Sequence, residues 1–270
     1  MIPPSQPFAA IILAADRGPD DPIANAARMP GKCLVPVANR PMVLRVLDTL
    51  EALPDVDAPL LCGPAWSVVA ESASLLERIR SGRVRWMPHE DSPSRSASTA
   101  LRSVPDGRPV LLTTADHALL TPAMLVHFLR RARTLDCDVA AALASAADVR
   151  TAFPGSRRTV MWLRDGGYCG CNLFAFLTSR GRDATLFWQR VEAQRKRPWR
   201  IARTLGWRTM LAYALGTLRL PQVLEQLSER MQMRVGAVRM PFAEAAVDVD
   251  TEADLALAER ILSLRRENGE

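Results

Sequence analysis

The apolar positions of this chain fall into short unbroken runs that alternate with helical stripes. Residues 8–15, Phe-Ala-Ala-Ile-Ile-Leu-Ala-Ala, carry no polar side chain. Such a run is too short and too apolar for a surface helix, and it suits a central parallel strand covered on both faces. Residues 16–30 follow as a loop of Asp, Pro, Gly and Asn. Val43, Val46, Leu47 and Leu50 then recur at helical spacing and predict a helix over 42–53. The same reading predicts strands over 58–62, 84–87, 109–114 and 139–143, and helices over 68–80, 96–104 and 122–135. Thr121 is the expected N-cap of the last of these, with Pro122 at its first position.

Beyond residue 145 the pattern changes. Residues 159–176 hold two strand-like runs broken at Asp165-Gly166-Gly167, and 180–231 is largely helical, with breaks near Pro198, Gly216 and Pro221. A strand over 234–240, a short apolar–acidic alternation at 247–249 and a helix over 251–264 close the chain. Thr251 is the expected N-cap of that helix, with Asp254 at its third position. No internal repeat is visible. Strand–helix alternation over the first 145 residues predicts an α/β fold, a doubly wound and mostly parallel sheet with flanking helices. Ligands bind beyond the C-terminal ends of the strands in such sheets. Both the loop that begins at Asp16 and Asp116, just past the strand over 109–114, fall there.

Length and composition narrow the picture. A chain of 270 residues with 48% hydrophobic content builds one large α/β domain, read here as 1–270 with a helical insertion at about 180–234. Five cysteines are scattered, and only Cys169 and Cys171 stand close, with no partner at zinc-ligand spacing. Reduced thiols and a cytoplasmic location are expected. The start has no basic stretch of a secretion signal, and no window approaches the roughly 18 apolar residues of a membrane span. The net charge of +6 is concentrated: 180–234 holds eleven Arg and one Lys against Asp183, Glu192, Glu225 and Glu229, and the rest of the chain is slightly acidic. A local anionic partner is the natural reading.

Several residues could carry chemistry. Lys32 is one of two lysines in an arginine-rich chain, and it follows a strand-to-loop turn of the kind that holds phosphates. The P-loop pattern itself fails, since position 26 is Ala and position 33 is Cys. Asp116 is placed to hold Mg²⁺ on a nucleotide's phosphates, or else to cap a turn. Asp248 and Asp250 alternate onto one face and could complete a Mg²⁺ site with Asp116, although Asp250 could equally serve the following helix start. Ser98, in the hydroxyl-rich run from Arg95 to Leu101, offers contacts to a base or phosphate, or ordinary capping. Asn172 ends the glycine-rich run from Gly166 and could meet a substrate hydroxyl, and a hairpin turn at Asp165-Gly166 is the alternative. Arg195, Arg197 and Arg200, with Arg203 and Arg208 and interleaved Trp188, Trp199, Trp207 and Tyr213, suit a phosphate or an anionic membrane surface. His89, His117 and His127 form no triad or metal spacing.

These residues also resemble a family. Leu13-Ala-Ala-Asp-Arg-Gly18, Lys32, and Leu34-Val-Pro-Val-Ala-Asn-Arg-Pro-Met-Val-Leu44 look like the opening of the MobA-like nucleotidyltransferases, L-A-A/G-G-x-G-x-R followed by P-K-x-L-x-P-V-x-G-K-P-M-L. Thr114-Ala-Asp116 resembles the family's strand-end aspartate, and Asp250-Thr-Glu-Ala-Asp-Leu255 its closing D-T-P-E-D-L. Arg95-Ser-Ala-Ser98 is similar to a segment beside the base in cytidylyltransferase relatives. Asp16 departs from the pattern, standing where the family has its first loop glycine.

The resemblance implies a nucleotide-diphospho-sugar transferase-like fold and Mg²⁺-dependent transfer of an NMP from an NTP to a phosphorylated small-molecule acceptor, with no nucleic acid partner. It assigns Lys32, Asp116 and Asp250 to the chemistry, with Asp248 in support at the metal. Leu13, Ala14, Ala15, Asp16, Arg17, Gly18, Lys32 and Ser98 would hold the nucleotide, and Asn172, Arg195, Arg197 and Arg200 the acceptor. A nucleotide-binding protein with lost turnover, marked by Asp16, and an anion- or membrane-binding module built on 180–234 are the competing readings.

Overall fold

The computed structural model describes residues 6–15, 21–194 and 206–267. Ten strands are labelled in chain order: β1 Ala9–Leu13, β2 Pro36–Val37, β3 Arg40–Pro41, β4 Leu60–Cys62, β5 Arg85–Met87, β6 Val110–Thr114, β7 Val139–Ser145, β8 Met161–Leu163, β9 Gly166–Phe176 and β10 Val235–Met240. The main sheet runs β10-β7-β9-β6-β1-β4-β5, with β8 paired to β9 off this path. The β1–β4, β4–β5, β1–β6 and β7–β10 pairs are parallel. β9 is the exception, antiparallel to both β6 and β7. The mostly parallel, doubly wound sheet read from the sequence is what forms. β1 is central and fully buried, as its unbroken apolar run requires.

One core fills each face of the sheet. Phe8, Ala10 and Ile12 point into a cluster with Val46, Leu47 and Leu50 of the helix Met42–Glu51 and Phe128 of the helix Pro122–Thr134. Ala9, Ile11 and Leu13 point the other way, onto Ala97, Ala100 and Leu101 of the helix Pro93–Arg102. The period of two along β1 thus divides its side chains between two layers.

The local departures from the sequence reading have plain causes. The helix expected over 68–80 is two, Trp66–Ala70 and Ala73–Arg80, because Ser72 turns out of the first and caps the second by accepting from the Leu75 N–H at 3.4 Å. The loop over 16–30 contains a short helix, Pro22–Ala26, capped by Asp21, which accepts from the Ile23 and Ala24 N–H groups. A helix at Ala146–Ala152 follows β7 directly with Ser145 as its cap; it escaped notice because seven residues show little periodicity. Pro221 opens the helix Leu220–Met231 rather than breaking one. Residues 247–249 are extended but join no strand of the sheet.

The basic segment enters through a 3-10 turn, Arg180–Asp183, followed by the helices Ala184–Gln194, Trp207–Ala214 and Leu220–Met231. Part of its positive charge is used inside the fold. Arg182 donates to the carbonyls of Leu101, Val104, Pro105 and Arg108, and Arg234 pairs with Asp136 and Asp138. Gly181 sits so close to the start of β7 that a Cβ there would run into the Asp138 carbonyl oxygen. That oxygen already accepts the Leu177 N–H, so the backbone cannot give way cheaply. Gly181→Ala is expected to lower the stability of the chain by about 1–3 kcal/mol in urea denaturation, and an unchanged midpoint would contradict this packing.

Candidate functional site

The site is built where β1 and β6 end. Leu13 is paired with Thr114 across these strands and with Cys62 on β4. The register continues one residue further: the Ala14 N–H donates to Cys62 O and the Ala115 N–H to Leu13 O, both at 2.9 Å. The chain therefore leaves β1 beside the point where Asp116 leaves β6. Gly63, with φ +73°, lies against the same turn, and a Cβ on it would come within 3.0 Å of the Ala15 nitrogen. A side chain at position 63 would press on Ala15 between the β4 and β1 exits, and the positive φ also favours glycine there.

Lys32 reaches this point from a 3-10 turn, Lys32–Leu34, whose Cys33 and Leu34 are buried. Its Nζ donates to Asp116 Oδ2 at 2.8 Å and to Asp250 Oδ1 at 2.5 Å. Burial works against the ammonium charge, but the two carboxylates outweigh it and raise the Lys32 pKa above its ordinary value. Asp116 is oriented by the Thr114 hydroxyl, which donates to Oδ1 at 2.5 Å. The 247–250 segment is held alongside by the Val249 N–H, which donates to Asp116 O at 3.1 Å. Val247 and Val249 are buried on one side, and the two aspartates face the other. The alternation read from the sequence therefore holds although the segment joins no sheet.

Asp248 meets a different cation. It accepts from Arg158 Nη1 at 2.9 Å and from Asn172 Nδ2 at 3.3 Å. Burial, and then the charges of Asp116 and Asp250, raise its pKa, while Arg158 opposes the shift. Asn172 adopts φ +48° in β9, beside the point where the β7–β9 register shifts. This local distortion turns its side chain toward Asp248. Arg158 also donates through Nη2 to Asp254 Oδ1 at 2.5 Å. Asp254 Oδ2 in turn accepts from the Thr251 N–H at 2.9 Å and the Asp250 N–H at 3.3 Å, while the Thr251 hydroxyl accepts from the Asp254 N–H.

Five of the residues read from the sequence therefore meet: Lys32, Asp116, Asp248, Asp250 and Asn172. The hairpin alternative at Asp165-Gly166 is also realised, with Leu163 paired to Gly166 and the turn at 164–165. Leu13 and Ala14 are tied into the sheet, so the Ala14 N–H is already committed to Cys62. Ser98 is not at a helix start. The helix Pro93–Arg102 begins at the Ser92 cap, and Ser98 is buried within it, accepting from Arg102 Nη2 at 2.8 Å. Asp16, Arg17 and Gly18, and Arg195, Arg197 and Arg200, lie outside the described residues. Sequence reasoning missed Arg158 and Thr114. The signal for Arg158 was electrostatic: Asp116, Asp248, Asp250 and Asp254 need more than one cation, and Arg157-Arg158 is a basic pair in a loop.

For a divalent cation, Asp116 and Asp250 offer hard carboxylate oxygens converging on one point, which is what Mg²⁺ takes when substrate phosphates and water complete its shell. Among the described residues no group of three His, Cys, Asp or Glu side chains forms a ready-made metal cage. Asp248 faces Arg158 and Asn172 instead.

The family model for the MobA-like NTP transferase domain matches residues 10–231. It covers Lys32 and Asp116 and runs through the basic segment, while Asp248 and Asp250 lie beyond its end and are tied to the site by geometry. A hypothetical transferase from Thermus thermophilus shares 29% identity at a TM-score of 0.75, over 93% of this chain and all of its own. The 4-diphosphocytidyl-2C-methyl-D-erythritol synthase of Anaerococcus prevotii aligns at 15% identity and a TM-score of 0.58, over 96% of this chain and 99% of its own. A CMP:2-keto-3-deoxy-manno-octonic acid synthetase complexed with CTP aligns at 13% identity and a TM-score of 0.54, over 96% of this chain and all of its own. These last two likenesses establish the fold. No curated protein matches the sequence. With a family model covering most of its length, and with the strand-end aspartate and Lys32 in contact, the chain belongs to the MobA-like NTP transferase family.

Proposed function

We propose that the chain, as one domain, is a nucleotidyltransferase that moves an NMP from an NTP to a phosphorylated small-molecule acceptor. The observation that carries this reading is the meeting of Lys32, Asp116 and Asp250 at the ends of β1 and β6, drawn from three distant parts of the sequence. In the reaction an acceptor phosphate oxygen bonds to the α-phosphorus, the bond from that phosphorus to the bridging oxygen breaks, and pyrophosphate leaves. Positioning and charge neutralisation do most of the work in such transfers.

The residues have distinct tasks. Lys32, on a 3-10 turn whose Cys33 and Leu34 are buried, would turn from its carboxylates to supply a positive charge to the triphosphate. Asp116 and Asp250 would hold Mg²⁺, which neutralises phosphate charge when bound. Asp248 and Asn172 line the adjoining wall, where Asn172 can offer its amide to the acceptor. CTP is the first nucleotide to test, because the solved relatives named above include cytidylyl-type synthases, one of them holding CTP.

Pyrophosphate release from the purified chain with CTP, Mg²⁺ and a panel of phosphorylated acceptors tests this reading, with GTP, ATP and UTP as parallel arms. Release above background with at least one pair is expected; nucleotide binding without release from any pair would leave a nucleotide-binding protein that has lost turnover. Lys32→Ala is expected to lower kcat/KM by about 100-fold, and normal turnover by that variant would remove Lys32 from the chemistry. Lys32→Arg is expected to recover only part of the loss, since a planar guanidinium does not fit a point contact between two carboxylates.

A second contact is favoured by one observation. Leu211 and Tyr213 of the helix Trp207–Ala214, and Leu215 just after it, are exposed, and they fall in the sequence segment that carries eleven arginines. Exposed apolar side chains in an arginine-rich stretch of sequence suit an anionic membrane surface that carries the acceptor. Co-sedimentation with phosphatidylglycerol vesicles, lost in Leu211→Ser/Leu215→Ser, is expected; equal pelleting of both proteins would dismiss the contact.

A further inference from the structure

Arg158 lies at the bottom of the site and hydrogen-bonds Asp248 and Asp254 rather than Lys32, Asp116 or Asp250. Its side chain is 8% exposed. It binds two carboxylates at once, Asp248 through Nη1 and Asp254 through Nη2, and Nη1 also donates to the Asp248 carbonyl at 3.1 Å. Its Nε is buried without a partner among the described residues. A buried guanidinium with an unpaired N–H is costly, so general stability alone is a poor reason for it.

The position of these contacts is informative. Asp248 and Asp254 flank Asp250 on either side. Asp254 carries the contact onward, because its second oxygen accepts from the Asp250 and Thr251 N–H groups and the Thr251 hydroxyl. Arg158 thus clamps both ends of the turn on which Asp250 rides. On the far side the Val249 N–H binds the Asp116 carbonyl. Asp250 is 41% exposed and accepts from Lys32 Nζ at 2.5 Å. The backbone beneath it is held by Arg158 through Asp254.

The geometry points to Arg158 as the positioning residue of the site: it sets where Asp250 stands relative to Asp116 and so fixes the gap between the two carboxylates that receive a divalent cation. This rests on the cation role given to Asp116 and Asp250 above. The planar fork is what the task requires, since it fixes two carboxylates at a defined angle, whereas a lysine can bridge two carboxylates without fixing the angle between them.

The test uses the full chain without nucleotide and Mn²⁺ as the probe, with free Mn²⁺ measured by electron paramagnetic resonance and folding checked by circular dichroism. Asp250→Asn is expected to weaken Mn²⁺ binding by about 10- to 100-fold, and Arg158→Met by about tenfold and no more than Asp250→Asn. Arg158→Lys should recover only part of the loss. The decisive variant is Arg158→Met/Asp250→Asn. If Arg158 acts through Asp250, the double variant binds Mn²⁺ no more weakly than Asp250→Asn does, whereas an independent structural role multiplies the two losses. Asp254→Asn, which keeps Arg158 and the Asp250 charge, should behave like Arg158→Met and replaces it if that variant does not fold. Wild-type affinity in folded Arg158→Met and Asp254→Asn, or multiplying losses, would overturn the proposal. Wild-type chain that takes up no Mn²⁺, or unchanged binding in Asp250→Asn, would defeat the cation role first and the proposal with it.

Discussion

Four carboxylates crowd one end of the sheet, and the structure of this region depends on how their repulsion is met. Asp116, Asp248, Asp250 and Asp254 are gathered there, and burial together with the charges of Asp116 and Asp250 already makes Asp248 hard to ionise. Two cations answer them from opposite sides. Lys32 closes the pair Asp116–Asp250 from the mouth of the site, and Arg158 closes the pair Asp248–Asp254 from below. Neither cation is near its partners in sequence, so the tertiary fold alone brings them together. Removing either cation leaves its two carboxylates facing one another with less positive charge between them, which works against this arrangement.

The two cations are not equivalent. Arg158 is bidentate, buried and fixed between neighbouring turns. Lys32 is a point charge on a flexible stem, held at its Nζ by Asp116 and Asp250. A flexible charge can leave its carboxylates for a phosphate, and a fixed one cannot. Under the proposed function this difference separates the residue that would meet the substrate from the one that would hold the site in shape.

Much of this was legible in the sequence because it follows from period and strand ends. The unbroken run at 8–15 could only be a doubly covered strand, and the alternation through residue 145 implied a sheet whose C-terminal edge would hold Asp116. The Val-Asp-Val-Asp alternation placed Asp248 and Asp250 together on one side, and the segment kept that facing without pairing as a strand, because the Val247 and Val249 side chains are held by the core. What stayed hidden depends on contacts rather than on pattern. Ser98 was expected at a helix start, but Ser92 offers a better cap and the helix begins earlier. The split at Ser72 turns on one side-chain hydrogen bond. Arg158 lies in an aperiodic loop, and its role appears only when its two acidic partners are seen side by side. The left-handed turn of Asn172 in β9 likewise follows from a shifted strand register that side-chain types do not announce.

The account turns on the claim that the point now shared by Lys32, Asp116 and Asp250 is where an NTP's phosphates are received. A crystal structure with a non-hydrolysable CTP analogue and Mn²⁺ tests it most directly, with anomalous scattering marking the cation. The account predicts one Mn²⁺ peak between Asp116 and Asp250, with Lys32 Nζ turned from at least one carboxylate onto a phosphate oxygen. A triphosphate bound away from the β1 and β6 ends, or a cation lodged elsewhere with Lys32 still between the two aspartates, would contradict it.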